Sequence, residues 1–109
     1  MNWELDYLPE ARKDIKDLER SKQILVDKAI KKVKKNPLPQ DEGGYGKPLG
    51  SKHGTNLTNM LKIKLRGEGI RVVYKLIRME TKMLIVVVGV REDDEVYAIA
   101  QRRRNKYGL

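Results

Sequence analysis

The chain has no cysteine and a single histidine among its 109 residues. Without cysteine it has no disulfide framework and no thiolate ligands for a metal. One histidine does not make a histidine-based metal cluster. The composition therefore predicts a protein without a metal site.

Residues 1–6 are acidic and contain no continuous apolar run. This start has the features of neither a signal peptide nor a membrane-spanning segment. We therefore expect a cytoplasmic protein without a membrane partner.

Positive charge is what the chain has in excess. Charged residues make up 36% of it, against about a quarter in an average protein. The 24 lysines and arginines exceed the 15 acidic residues and give a net charge of +9. This balance indicates a polyanionic partner, either nucleic acid or an acidic protein. At this length, residues 1–109 are predicted to form a single domain with one modest core.

The first third of the chain predicts a strand followed by two helices. Apolar and acidic residues alternate over residues 2–8, which is typical of a strand. Pro9 suits the first turn of a helix, where no backbone N–H is needed. A break near Ser21 separates two segments with apolar residues at helical spacing, and Pro37 ends the second. Two helices joined this closely form an antiparallel pair.

Lysines cover the outer face and last turn of the second helix, at positions 28, 31, 32, 34 and 35. We interpret Lys31, Lys34 and Lys35 as contacts to an RNA backbone. The alternative is an ordinary solvated face, because the negative end of the helix dipole favours lysine there.

Residues 38–59 are rich in glycine, proline, asparagine and serine and predict irregular chain. Their glycines do not follow the pattern of a phosphate-binding loop that ends in Gly-Lys-Ser/Thr. His53 lies in this segment, and no acid–base partner for it is evident, so we expect a surface histidine.

Residues 61–66 alternate strictly and predict a strand with two different faces. One face, made of Leu61, Ile63 and Leu65, enters the core, and the other carries Lys62, Lys64 and Arg66. Cations about 7 Å apart along a strand disfavour each other's charge, and a polyanion relieves that repulsion. The plainer alternative is the solvated outer face of a sheet.

Gly67 and Gly69 predict a hairpin that returns over residues 70–77. A four-residue loop pairs Arg66 with Arg71, and it places Arg71 and Lys75 on the lysine face. In the same register Lys64 pairs with Val73.

Residues 83–88 are continuously apolar, which predicts a central strand buried on both faces. Asp93 or Asp94 caps a last helix whose inner stripe is Val96, Ile99 and Ala100. The predicted fold is α+β. A small, largely antiparallel sheet of about four strands, mixed at one edge, carries a helical hairpin from the N-terminal half and a short C-terminal helix.

The motifs from residue 61 onward resemble those of RelE toxins in the RelE/ParE toxin–antitoxin superfamily. Residues 61–66 and 69–74 are similar to Y-K-I-K-L-R…G-Y-R-L-V-Y, and residues 88–97 to V-G-K-R-E…E-V-Y. Leu61 stands in place of an aromatic residue and Val90 in place of a lysine.

The resemblance implies a ribosome-dependent endonuclease that cuts messenger RNA in the ribosomal A site and inhibits translation. Its partners are a cognate antitoxin, the ribosomal RNA and the messenger RNA. It needs no metal and no other cofactor. The implied catalytic residues are Lys62, Lys64, Arg71, Arg91 and Tyr97.

The implied roles follow the chemistry of RNA cleavage by the 2′-hydroxyl. Lys62 accepts the hydroxyl proton, while Lys64 and Arg71 stabilise the charge of the transition state. Arg91 contacts the phosphate or assists the leaving group, and Tyr97 stacks on or orients a base. Further RNA or ribosome contacts are predicted for Arg66, Lys75, Arg102, Arg103 and Arg104.

Two other functions are compatible with the composition. One is a ParE-like toxin that inhibits DNA gyrase without cutting RNA. The other is a basic RNA-binding or ribosome-binding protein without activity. The retained catalytic set favours the nuclease.

Overall fold

The computed structural model describes residues 2–50, 56–90 and 92–109. The strands in these ranges are β1 (Glu4–Tyr7), β2 (Lys47–Pro48), β3 (Met60–Leu65), β4 (Ile70–Ile77) and β5 (Lys82–Gly89). The α-helices are α1 (Pro9–Lys16), α2 (Arg20–Lys34) and α3 (Asp93–Tyr107). Within the same ranges, no helix combines the length and the apolar character needed to cross a bilayer.

The strands form one sheet in the order β1-β5-β4-β3-β2. β1 runs parallel to β5, and the other neighbours are antiparallel. The α+β class, the mixed edge and the helical pair α1–α2 are therefore confirmed. Two details differ from the prediction. The two-residue β2 adds a fifth strand, and α3 has 15 residues rather than being short.

β5 is buried along residues 83–88, as the unbroken apolar run predicts. It lies inside the sheet between β1 and β4, although β4 rather than β5 holds the middle position. α1 and α3 both pack against β5. Helices therefore cover both faces of the sheet, because a strand that is apolar on both sides must be shielded on both sides.

The hairpin between β3 and β4 keeps the predicted faces in a different register. Lys64 lies opposite Arg71, and Leu65 lies opposite Ile70. The prediction paired Lys64 with Val73, which is wrong by two residues. A shift of two leaves every side chain on its face, since strand side chains alternate with a period of two.

The glycine-rich loop has a packing role near β2. A Cβ on Gly46 would lie 2.3 Å from the hydroxyl oxygen of Tyr74 and 2.4 Å from Cδ2 of Leu61. The Tyr74 hydroxyl donates to the carbonyl of Pro37 at 2.8 Å, and burial raises the pKa of Tyr74. A side chain at position 46 would displace this buried contact. His53 lies outside the described residues.

Candidate functional site

Three predicted catalytic cations share one face of the sheet. Lys62 and Lys64 alternate along β3, and Arg71 lies directly opposite Lys64 on β4. Directly opposed residues have Cβ atoms about 5 Å apart. All three side chains are half-buried, and Nη1 of Arg71 donates to the carbonyl of Gly69 at 3.3 Å. The strand pairing itself therefore concentrates positive charge at this end of the sheet.

Like charges that lie opposite one another on a strand pair repel, so the contact between Lys64 and Arg71 is by itself unfavourable. An anion bound between the cations reverses the sign of the interaction. A phosphate diester can accept hydrogen bonds from lysine and arginine together. The arrangement can therefore bind a phosphate group and stabilise additional negative charge on it.

Tyr97 joins this cluster from α3, with its side chain only 3% exposed. Nζ of Lys62 lies 5.9 Å from the centre of the Tyr97 ring, within the range of a cation–π contact. A ring this covered does not stack on a nucleobase unless α3 moves. In this conformation Tyr97 is a neighbour of Lys62 rather than an RNA-stacking platform.

Arg91, the remaining member of the predicted catalytic set, lies outside the described residues. β5 ends at Gly89, two positions earlier in the chain, and Gly89 pairs with Arg71. Arg66, a predicted RNA contact, is exposed in the turn that follows β3. The structure therefore brings Lys62, Lys64, Arg71 and Tyr97 together, with Arg66 at the same end of the hairpin.

Several predicted RNA contacts have hydrogen-bond partners within the protein. Nζ of Lys75 donates to the carbonyl of Leu109 at 2.5 Å, at the end of β4 away from Arg71. Nη1 of Arg104 donates to the carbonyl of Asn56 at 2.7 Å. Both contacts hold α3 or its end in place, which is a different task from the one predicted.

Arg103 also has a structural task, whereas Arg102 is exposed. Nη1 of Arg103 lies 2.7 Å from Oδ2 of Asp14, and the two side chains are 16% and 20% exposed. A guanidinium that is covered and paired in this way is poorly placed for a first contact with RNA. Of the three consecutive arginines, Arg102 fits the predicted role.

The lysines of α2 form a separate surface. α2 packs against β3, and the chain that follows it meets the face of Tyr74, opposite the face that carries Lys62. Lys31 and Lys35 are exposed and Lys34 is half-buried. Nζ of Lys31 pairs with Asp27 at 2.9 Å, and the hydrogen bond to this carboxylate raises the pKa of Lys31. These lysines can extend a binding surface but not the catalytic cluster.

Sequence reasoning missed Asp14, whose carboxylate accepts hydrogen bonds from Arg103 and from the N–H of Val88. A signal was available. Asp14 follows Ala11 by three residues and precedes Leu18 by four, so it lies on the apolar side of α1. An acidic residue among apolar ones on a helix indicates a buried polar partner.

Known proteins similar to this chain are RelE toxins. No protein-family model matches the chain. The mRNA interferase toxin RelE of Escherichia coli strain K12 is 29% identical over 103 residues, which span 94% of this chain and 98% of that protein. The chain resembles RelE toxins over nearly its whole length.

Solved structures of RelE show the same fold. E. coli toxin RelE in the free state, as an arginine mutant, superposes with a TM-score of 0.72 at 27% identity, covering 94% of this chain and 98% of RelE. The same mutant in complex with a peptide of the antitoxin RelB gives a TM-score of 0.69, also at 27% identity, with 92% and 95% covered. The similarity to RelE therefore holds in sequence and in three dimensions.

The burial of Tyr97 generates a prediction about stability. Tyr97→Ala should lower the free energy of unfolding by about 3 kcal/mol, because it leaves a cavity between α3 and the sheet. Tyr97→Phe keeps the ring and should cost much less. Urea unfolding of both variants measures the difference. Equal stabilities of Tyr97→Ala and the wild type would show that the ring is not a packing element.

Proposed function

We propose that this protein is the toxin of a type II toxin–antitoxin system and that it cleaves messenger RNA on the ribosome. The observation that carries the proposal is the cluster of Lys62, Lys64 and Arg71 on one strand pair, with Tyr97 against Lys62. The cluster occurs in a chain that resembles a protein named mRNA interferase. The exposed Arg66, in the turn that follows β3, enlarges the basic surface that faces the RNA.

RNA carries its own nucleophile, so the protein must supply proton transfer and charge stabilisation rather than a metal-bound hydroxide. The 2′-hydroxyl attacks the adjacent phosphorus and the bond to the 5′-oxygen breaks, which leaves a 2′,3′-cyclic phosphate and a 5′-hydroxyl whose proton comes from solvent water. Lys62 takes the hydroxyl proton as a neutral amine. Lys64 and Arg71 stabilise the negative charge that builds on the phosphorane-like transition state.

The remaining roles are proposed from the motif and from the position of α3. Arg91 contacts the phosphate or assists the departing 5′-oxygen. An arginine that donates its own proton is chemically awkward, so contact with the phosphate is the preferred role. Tyr97 acts first through Lys62, because its ring packs beside that side chain rather than facing solvent.

The shape of the site supports the proposed dependence on the ribosome. The cations stand on a strand face, half-buried, at the border of α3. A cleft of about 720 Å³ lies at the other end of β3, beside Leu49, Met60 and Met79. A strand face does less than an enclosing cleft to orient a flexible RNA. The ribosome, working in the cytoplasm, would present the messenger RNA in a fixed conformation.

Primer extension on translated messenger RNA tests the proposed function. We expect primer extension to stop at new 5′ ends within codons when the protein is added to translating ribosomes, and at none on the same RNA without ribosomes. Efficient cutting of naked RNA would contradict ribosome dependence. Absence of cutting in both reactions, together with inhibition of gyrase supercoiling, would replace the nuclease with a ParE-like activity.

Lys64→Ala separates catalysis from binding. The change removes one transition-state donor, which can be worth about 100- to 1000-fold in rate. It should alter the free energy of unfolding by only about 0.5 kcal/mol, because shortening the Lys64 side chain on this strand face leaves no deep cavity. Ribosome affinity should fall little, because the electrostatic attraction is spread over many cations. Single-turnover cleavage with saturating ribosomes measures the rate.

Lys35→Ala is the matched control for that measurement. It removes the same charge from an exposed position at the end of α2, away from the strand face. We expect a small loss of affinity and an unchanged saturating rate. A fully active Lys64→Ala variant would make the lysine face a docking surface and overturn the catalytic assignment.

The partner that silences the toxin is proposed to be an acidic or amphipathic antitoxin segment. A net charge of +9 favours an acidic ligand, and similar RelE structures include antitoxin complexes. The segment would cover the Lys62 and Lys64 face or displace α3. Hydrogen exchange should then change in β3, β4 and α3 on complex formation. Protection confined to α1 and α2 would count against this binding mode.

A further inference from the structure

The outer edge of β5 extends past its strand partner. β1 pairs with β5 from Lys82 to Ile85, and the pairing ends there. Val86 is the extra residue of a β-bulge, because Val87 pairs with Val73 while Ile85 pairs with Tyr74. The backbone groups beyond Ile85 on this edge therefore need other partners, since unpaired buried groups are costly.

Two side chains take the place of the missing strand. Nη1 of Arg103 donates to the carbonyl of Val86 at 2.9 Å. Oδ2 of Asp14 accepts from the N–H of Val88 at 3.0 Å. A paired strand would offer one donor and one acceptor around Val87 in the same way. Asp14 and Arg103 together imitate that backbone pairing.

The two side chains also bind each other through two contacts, which we name the Asp14–Arg103 clasp. Nη1 of Arg103 lies 2.7 Å from Oδ2 of Asp14, and Nη2 lies 3.2 Å from Oδ1. Both side chains are more than three-quarters covered. The clasp thus joins three elements, α1, β5 and α3, at one point. Two-point contacts between arginine and carboxylate fix orientation as well as distance.

The other contacts between α1 and the end of α3 are more exposed. Nζ of Lys106 and the hydroxyl of Tyr107 donate to Glu10 at 2.9 Å and 2.7 Å. The hydrogen bond from Lys106, followed by that from Tyr107, lowers the pKa of Glu10 to about 2. The Lys106 side chain is 65% exposed, so solvent screens this pair strongly. The clasp is the better-shielded anchor of α3.

Two of the three elements that the clasp joins, β5 and α3, carry parts of the candidate site. Arg103 lies six residues after Tyr97 on α3, about 9 Å along the helix axis, and Tyr97 contacts Lys62. β5 continues from the clasp to Gly89, which pairs with Arg71. A small rotation of α3 or a loosened β5 edge would therefore move Tyr97 from Lys62 and disturb the strand beside Arg71.

We propose that Asp14 and Arg103 are positioning residues that hold α3 and the end of β5 in place, so that Tyr97 stays against Lys62. The assignment goes beyond the catalytic set and rests on the proposed function for its kinetic test. Neither residue contacts RNA in this mechanism. Each acts on the reaction through the placement of Tyr97 and of the strand opposite Arg71.

Asp14→Asn and Arg103→Gln test the proposal in two independent measurements. The first is the NMR chemical shift of the Lys62 side-chain methylene protons, which the current of the Tyr97 ring displaces. We expect this displacement to shrink in both variants. The second is single-turnover cleavage on programmed ribosomes. The saturating rate should fall by about 10- to 100-fold, as it does for other small misplacements of reacting groups. The ribosome concentration that gives half of this rate should stay within about twofold of the wild type, because the affinity is spread over many cations.

Asp17→Asn is the matched control, because it removes a carboxylate three residues after Asp14 that takes no part in the clasp. Asp17 pairs with Lys13 at 3.1 Å, and these side chains are 65% and 75% exposed. This variant should keep the wild-type chemical shift and rate. Arg103→Lys should recover part of the rate lost in Arg103→Gln, since an ammonium can still reach the Asp14 carboxylate.

Circular dichroism of each variant distinguishes a loss of positioning from unfolding. If Arg103→Gln does not fold, Arg103→Lys takes its place as the test variant. Folded variants with the wild-type Lys62 shift and the wild-type rate would overturn the proposal. A rate loss that comes entirely from weaker ribosome binding would also overturn it. If the wild type cleaves no RNA but the variants still change the Lys62 shift, the proposed function fails while the positioning of Lys62 and Tyr97 stands.

Discussion

The burial of β5 on both faces is the constraint on which the rest of the fold depends. Its apolar residues 83–88 are covered, so the sheet needs helices on both sides. α1 and α2 shield one face and α3 shields the other. The face under α3 is also the face of Lys62, Lys64 and Arg71. The candidate site therefore lies at the border of a packed helix rather than on an open sheet, which explains why Tyr97 is buried beside Lys62.

The basic C-terminal helix illustrates how packing redistributes charge that looks uniform in the sequence. Arg103 and Arg104 bond to a carboxylate and to backbone carbonyls, and Lys75 bonds to the carbonyl of Leu109. The net charge of +9 therefore overstates the positive charge that is available to bind a polyanion. Exposed pairs such as Lys13–Asp17 contribute little to stability. A covered pair that also bonds to strand backbone has a larger effect, since loss of either partner leaves buried groups unsatisfied.

The cation cluster and the core oppose each other energetically. Lys64 and Arg71 face one another across a strand pair, and the repulsion between these like charges is a destabilising contribution. The apolar residues on the other face of the same strands, including Val72 and Tyr74, are fully buried and offset that cost. The site can therefore hold repelling charges in fixed positions before an anion arrives. Preorganised charge of this kind is what stabilises a transition state.

The amino-acid pattern was enough to predict the fold class, the order of most elements and the faces of the residues in β3 and β4. These depend on local periodicity, so even the two-residue error in the hairpin register left Arg71 beside the lysines. The tertiary structure alone decided that Tyr97 is buried and that Asp14 pairs with Arg103. Asp14 and Arg103 are 89 positions apart in the sequence. Their pairing depends on the angle at which α3 crosses the sheet, and no local sequence pattern predicts that angle. That angle follows from side-chain packing across the whole core, where contacts between distant residues are settled together.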